Sequence, residues 1–264
     1  MSARGLALDT AAWASPWRTR RVLDKAILAL GLLGCAVALP PWPGGVAAGV
    51  SALVILLGPG RVPARLLARC MSAPAVFVII GAATVMVSVW WDAGPRIGLA
   101  SSQSDLALQI LVRGISGALC AFVLATTTPM VDLFAALRRA RVPDPLIEVA
   151  SLTYRLIFVL LDSARAIREA QDARLGYTSR AASYRSLSSL SAAILVRSWT
   201  RARRLEDGLA GRGYVDALRT LDPPVRASRV FIASSLVLVA AIVCLALLPG
   251  YLPAGTLPSI LRGS

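Results

Sequence analysis

Residues 230–248, VFIASSLVLVAAIVCLALL, run without a single charge. A helix needs about 20 apolar residues to cross the hydrocarbon core of a bilayer, and this run meets that length. Residues 74–91 (PAVFVIIGAATVMVSVWW) form a second such run, with Trp90 and Trp91 placed to anchor its far end. Residues 106–128 form a third, entered past Arg113, an arginine expected to snorkel or to face protein. Two shorter runs, 26–39 (AILALGLLGCAVAL) and 46–58 (VAAGVSALVILLG), flank a turn forced by Pro40, Pro41, Pro43, Gly44 and Gly45. They read as a hairpin of two short helices, with one re-entrant element as the alternative. The chain is 56% hydrophobic, against about 45–50% in soluble domains. The expected fold is therefore an all-α integral membrane protein with about five transmembrane helices.

Arginine sets the expected topology. The formal net charge is +14, and nearly all of the basic residues are arginines lying between the apolar runs. With the N-terminus in the cytoplasm, the cytoplasmic segments are 1–25, 59–73 and 129–229, and they hold every basic residue except Arg96, Arg113 and Arg262. The opposite orientation would translocate almost all of that charge, against the positive-inside bias. The expected organisation is a cytoplasmic N-terminal segment (1–25), transmembrane helices 1–4 (26–128), a cytoplasmic region (129–227), a fifth helix (228–249) and a non-cytoplasmic tail (250–264). Trp13 and Trp17 are placed as interfacial aromatics, and Arg61, Arg65 and Arg69 are spaced as one helical face. No small-residue cleavage site follows the first apolar run, so no removable signal peptide is expected.

Absences narrow the chemistry. There is no histidine, and Lys25 is the only lysine. Without G-x-x-x-x-G-K-[ST] the chain has no phosphate-binding loop and is not itself an ATPase. Cys35, Cys70, Cys120 and Cys244 are far apart and form no C-x-x-C pair, so they read as packing residues rather than zinc or disulfide partners. No apolar run carries an acidic residue near its centre, which disfavours an ion-coupled secondary transporter, and no catalytic constellation stands within the runs. No enzyme activity, no bound metal and no nucleic-acid binding are expected of this chain.

The stretch 129–227 is basic but still rich in Ala, Leu, Val and Ile, so it is not a disordered tail. Residues 145–175 read as one or two amphipathic helices. Residues 186–211 read as another, with Leu195, Trp199, Ala202, Leu205 and Leu209 on one side and Arg197, Arg201 and Arg204 on another. The second face reads as solvated or lipid-facing surface. Gly176 and Gly213 are candidate helix stops. Two segments echo each other: Glu169–Tyr177 (EAQDARLGY) and Glu206–Tyr214 (EDGLAGRGY). Each closes an amphipathic stretch with a small residue, an arginine, a glycine and a tyrosine.

The pair resembles the Ala-Arg-Gly signatures of the transmembrane (T) subunit of energy-coupling factor transporters. Arg138–Pro143 (RRARVP) followed by Ser151–Arg155 (SLTYR) is similar to the run that precedes the first motif in that family, and Asp9–Ala12 with Ser15–Lys25 resembles the opening of its cobalt-type branch, CbiQ. Leu175 stands where the family often has glycine, and Gly211 replaces the usual alanine. The resemblance implies a non-catalytic coupling subunit of the bacterial inner membrane, with long cytoplasmic coupling helices between the fourth and fifth spans. It implies two copies of an ABC-type ATPase as partners, carrying ATP and magnesium. A substrate-binding membrane subunit is a further partner, with a small accessory membrane subunit as another candidate. Ala173, Arg174, Gly176, Gly211, Arg212 and Gly213 would form the ATPase-coupling elements, supported by Tyr154, Arg155, Trp199, Leu205 and Leu209. Cobalt is the substrate that the branch implies, with nickel or a vitamin as alternatives. Outside the resemblance, a basic membrane scaffold that binds anionic lipid or an acidic partner is a competing reading.

Overall fold

A computed structural model describes residues 3–90, 96–99, 104–213 and 228–251. Tyr214, the end of the 129–227 stretch, most of the 250–264 tail and Trp91 lie outside those residues. The chain divides into two compact units, Met1–Leu133 with Pro223–Ser264, and Phe134–Asp222. The fold is that of an all-α membrane protein, with one two-stranded antiparallel ribbon.

In the first unit, α1 (Ala3–Ala14) leads through a short 3-10 turn (Pro16–Thr19) into α2 (Val22–Ala38). A kinked Pro-Gly segment, Pro41–Gly45, then gives way to α3 (Val46–Leu57). The proline and glycine cluster thus separates two distinct helices, as its composition predicts. α4 (Ala64–Met86) and α5 (Ser104–Thr127) follow, and α9 (Arg229–Tyr251) completes the unit. Three helical stretches among the described residues are long and apolar enough to cross a membrane: Ala64–Met86, Ser104–Thr127 and Arg229–Leu247. α2, at 17 residues, and α3, at 12, fall short of that length. Several large apolar side chains on these helices face outward, among them Phe77 and Val230, each 80% exposed, as in a protein solvated by lipid.

Three expectations need correction. The 74–91 run is not one span: α4 starts ten residues earlier, carries Pro74 inside it, and stops at Met86. Val87–Trp90 (β1) leaves as a strand, paired with Arg96–Leu99 (β2) from Val87↔Leu99 to Trp90↔Arg96. The apolar sequence reads on as helix, but its valines and tryptophan suit an extended chain equally well. Arg61 does not share a helical face with Arg65 and Arg69. It precedes α4, with a left-handed φ of 50°. Trp17 is buried rather than interfacial: its ring meets Phe231 edge-on at 5.1 Å, while Arg20 lies 4.6 Å from the Phe231 centroid.

α5 is the hub of this unit, packing on α1, α2, α3 and α4, while α9 packs on α2. The core joins Leu28, Leu32 and Ala36 of α2 to Ala48, Ala52 and Leu56 of α3 and to Cys120 and Val123 of α5. Helices in a bilayer gain little from hydrophobic exclusion between one another and associate through close packing, so small residues mark their crossings. At Gly49 of α3, an added Cβ would stand 2.5 Å from Ser116 Oγ and 3.3 Å from Ser116 Cα. Gly49→Val is therefore expected to destabilise the α3–α5 crossing by about 1–3 kcal/mol. A lower thermal midpoint in detergent, partly restored by Ser116→Gly, checks this. An unchanged midpoint would show that the crossing tolerates the added bulk.

The N-terminal end of α2 carries a buried polar knot. Lys25 is 0% exposed and its ammonium donates to the Thr127 carbonyl at 2.8 Å. Asp24, 2% exposed, accepts the Ser228 backbone N–H at 3.1 Å, just ahead of α9. Asp132 lies within electrostatic reach of Lys25. One pair of adjacent residues thus ties α2 to the end of α5 and to the entry of α9.

Candidate functional site

The second unit is built on two long helices. α6 (Met130–Arg139) enters it, and Arg141 turns the chain with a φ of 63°. α7 (Asp144–Ala173) then runs as one helix of 30 residues, not two. Its start is fixed by prolines, which fit the first turn because no backbone donor is needed there. Arg138 Nε pairs with Asp144 at 3.1 Å across that entry. Tyr154 is held among rings, 6.0 Å from Phe134 and 4.9 Å from Phe158.

The first motif is the turn that joins α7 to α8 (Arg180–Ala210). Ala173 is the last residue of α7, and Arg174 is the exposed residue after it. Leu175, not Gly176, takes the left-handed conformation, with φ 57° and 71% exposure. That is the position where the resemblance leads one to expect glycine. An L-residue pays about 1–2 kcal/mol there, so Leu175→Gly is expected to stabilise the turn by about 1 kcal/mol. A matching rise in thermal midpoint checks this; a fall would show that the exposed leucine is itself held by packing. Gly176 has a different role: an added Cβ would meet Ser186 Oγ at 2.7 Å. The turn is closed by side chains. Tyr177 Oη donates to Gln171 Oε1 at 2.8 Å, Gln171 Nε2 donates to the Ser186 carbonyl at 3.0 Å, and Ser186 Oγ donates to the Gly176 carbonyl at 2.7 Å. Ser179 caps α8 by accepting the Ala182 N–H.

The second motif lies at the other end of α8. Gly211 follows its last residue, Arg212 is exposed, and Gly213 has a left-handed φ of 69°, the conformation expected of a glycine helix stop. α8 has 31 residues, so at about 1.5 Å per residue it is about 46 Å long. The two motif arginines therefore stand at opposite ends of one helix.

Between α7 and α8 opens a cleft of about 670 Å³. Of the predicted residues, it brings together Arg155, Leu205 and Arg212. Arg174 does not line it, and neither do Trp199 or Leu209. Trp199 is 63% exposed, with Arg203 lying 5.3 Å from its ring centroid. Leu209 is half-buried. The cleft also takes in Arg197, Arg201 and Arg204, a face whose pattern alone suits solvated or lipid-facing surface. Their spacing of four and three was the available signal; what it could not supply was Arg155 facing them from α7. Among the described residues, no group of three or more Cys, Asp and Glu side chains gathers as a metal site.

Residues 14–221 match the CbiQ family, described as "Cobalt transport protein". The chain belongs to that family. It is 40% identical over 235 residues to the cobalt transport protein CbiQ of Rhodobacter capsulatus, covering 89% of this chain and 95% of that one. It is 29% identical over 212 residues to the CbiQ of Salmonella typhimurium, covering 75% and 92%. A fused cobalt transport protein CbiMQ of Methanocorpusculum labreanum is described as putative; it is 28% identical over 218 residues, covering 78% of this chain and 36% of its own length. The CbiQ match takes in α7, α8 and both arginine motifs, and stops short of α9.

Proposed function

We propose that this chain is the coupling subunit of an ATP-driven importer, most directly one for cobalt ions. In this reading it lies in the bacterial inner membrane with its N-terminus in the cytoplasm. It hydrolyses nothing itself. α7 and α8 are its coupling helices, and Arg174 and Arg212 each dock on one of two copies of an ABC-type ATPase. A separate membrane subunit binds the substrate.

The observation that carries the reading is the placement of the two motifs. Arg174 and Arg212 are both exposed and both follow a helix end. A helix of about 46 Å separates them, which suits two docking points on two ATPase copies and not one shared point. A guanidinium projecting from a helix end can pair bidentately with a carboxylate, which sets register, while the apolar face of the helix supplies contact area. The fused CbiMQ relative supports a membrane partner of the CbiM kind, because fusion of two chains favours parts that work side by side.

The test is co-purification of the whole complex. Arg174→Glu alone and Arg212→Glu alone are each expected to release one of two ATPase copies, read as subunit ratio by native mass spectrometry. Retention of both copies in both variants would exclude docking through these arginines. Cobalt accumulation by cells that lack other importers, with nickel as the comparison, reads the substrate.

A further inference from the structure

The cleft between α7 and α8 gathers arginines of which the proposed ATPase docking uses only Arg212. Arg155, Arg197, Arg201, Arg204 and Arg212 line it, and among the described residues no acidic side chain does. Among the described residues, none of these five guanidinium groups lies within ion-pair distance of a carboxylate. Like charges gathered in a confined space repel one another, and a bound anion relieves that repulsion. Apart from the hydroxyls of Ser163 and Thr200, the rest of the described lining is apolar, with Leu156, Val159 and Leu160 from α7 and Val196 from α8. An occupant that fits must therefore be anionic at one end and hydrocarbon at the other. Val196 in the lining is 64% exposed, and Leu195 and Trp199 beside it on α8 are 69% and 63% exposed. An exposed tryptophan among aliphatic residues, next to arginines, is the pattern of a helix lying in a membrane interface.

We propose that this cleft is a binding site for an anionic phospholipid, its phosphodiester held by Arg197, Arg201 and Arg204 and its acyl chains laid along the apolar lining. Guanidinium groups match phosphate oxygens bidentately, which a zwitterionic headgroup offers less favourably because it brings its own cation. Basic pockets on the cytoplasmic side of membrane proteins take anionic headgroups by this chemistry. The volume suits a headgroup and the first part of its chains. The site goes beyond the coupling role and does not depend on it, because the three arginines assigned to the phosphodiester are not the docking arginines.

The experiment uses the full chain purified in neutral detergent and incubated with equal amounts of dioleoyl phosphatidylglycerol and dioleoyl phosphatidylcholine, with retained lipid read by native mass spectrometry. The expected result is selective retention of phosphatidylglycerol. A triple variant, Arg197→Gln, Arg201→Gln and Arg204→Gln, is expected to lose that retention about a hundredfold, at roughly 1 kcal/mol per basic residue. The same three positions changed to Lys should keep part of it, since charge remains while the fork geometry is lost. The control triple, Arg139→Gln, Arg180→Gln and Arg185→Gln, removes equal charge from outside the cleft and should leave retention unchanged. Equal losses in both triples would reduce the effect to net charge and overturn the site. Equal retention of phosphatidylcholine would overturn it as well. Displacement of the lipid by glycerophosphoglycerol, which has no acyl chains, would assign the cleft to a bare phosphodiester. Retention of a glutamate-rich peptide in place of phosphatidylglycerol would assign it to an acidic protein partner.

Discussion

Cobalt uptake is expected to stop when Arg174→Glu and Arg212→Glu are combined. Each change removes a guanidinium and sets a carboxylate where the proposed partner offers another. Loss of a hydrogen-bonded charge pair at an interface costs about 2–5 kcal/mol, and like charges across it add further cost. At two docking points the combined effect exceeds what an assembled complex can absorb. The chain's own fold should not suffer, because both residues are exposed and follow helix ends. The measurement is radioactive cobalt uptake alongside the amount of this chain in the membrane fraction. Normal uptake at normal abundance would sink the coupling role. Arg174→Lys with Arg212→Lys should lie between, since lysine keeps the charge but cannot form the two-pronged pair.

The second large effect is expected at Lys25. Its ammonium is fully buried, bonded to the Thr127 carbonyl and close to Asp132, with buried Asp24 adjacent. Lys25→Glu would set a carboxylate against a carbonyl oxygen among acidic neighbours, with no donor to satisfy it. Leaving a buried charge unpaired costs about 3–5 kcal/mol, enough to deplete the folded chain. Lys25→Met keeps much of the volume and loses only the polar partner, so a cost of about 1–3 kcal/mol is expected. Thermal midpoints in detergent should rank native, Met, then Glu. If Glu equals native, the knot does not hold α2 to α5.

What sequence reading could recover follows from how local each feature is. α5, α7 and α8 are long and strongly patterned, so their existence is legible in the sequence, although α8 starts six residues before the expected 186. The Pro-Gly break between α2 and α3 was legible because proline and glycine act on their own backbone. The β1–β2 ribbon was not: VSVW continues an apolar run, and only pairing with Arg96–Leu99 makes it a strand. Trp17 read as interfacial because its partner, Phe231, is distant in sequence. Lys25 read as one more positive-inside residue because nothing nearby in sequence announces Thr127. In the site, the two arginine motifs were visible as a repeat. The cleft was not, since it exists only where Arg155 on one helix faces Arg197, Arg201 and Arg204 on another. Leu175 was noticed as a departure, but its cost became visible only as a backbone angle.

α8 runs from Arg180 to Ala210 with no proline and a single glycine, Gly208, near its end. A rod of that kind resists stretching and buckling, so its two ends cannot report separately. Whatever pushes at Arg212 is felt at the Arg174 turn, where the Gln171–Tyr177–Ser186 bonds form a stiff elbow. Under the proposed docking, two ATPases attached at the ends of such a beam are engines mechanically in series. One engine moving alone tilts the beam, while both moving together turn or shift it as a whole, and a load coupled to only one of those motions moves only when the engines fire together.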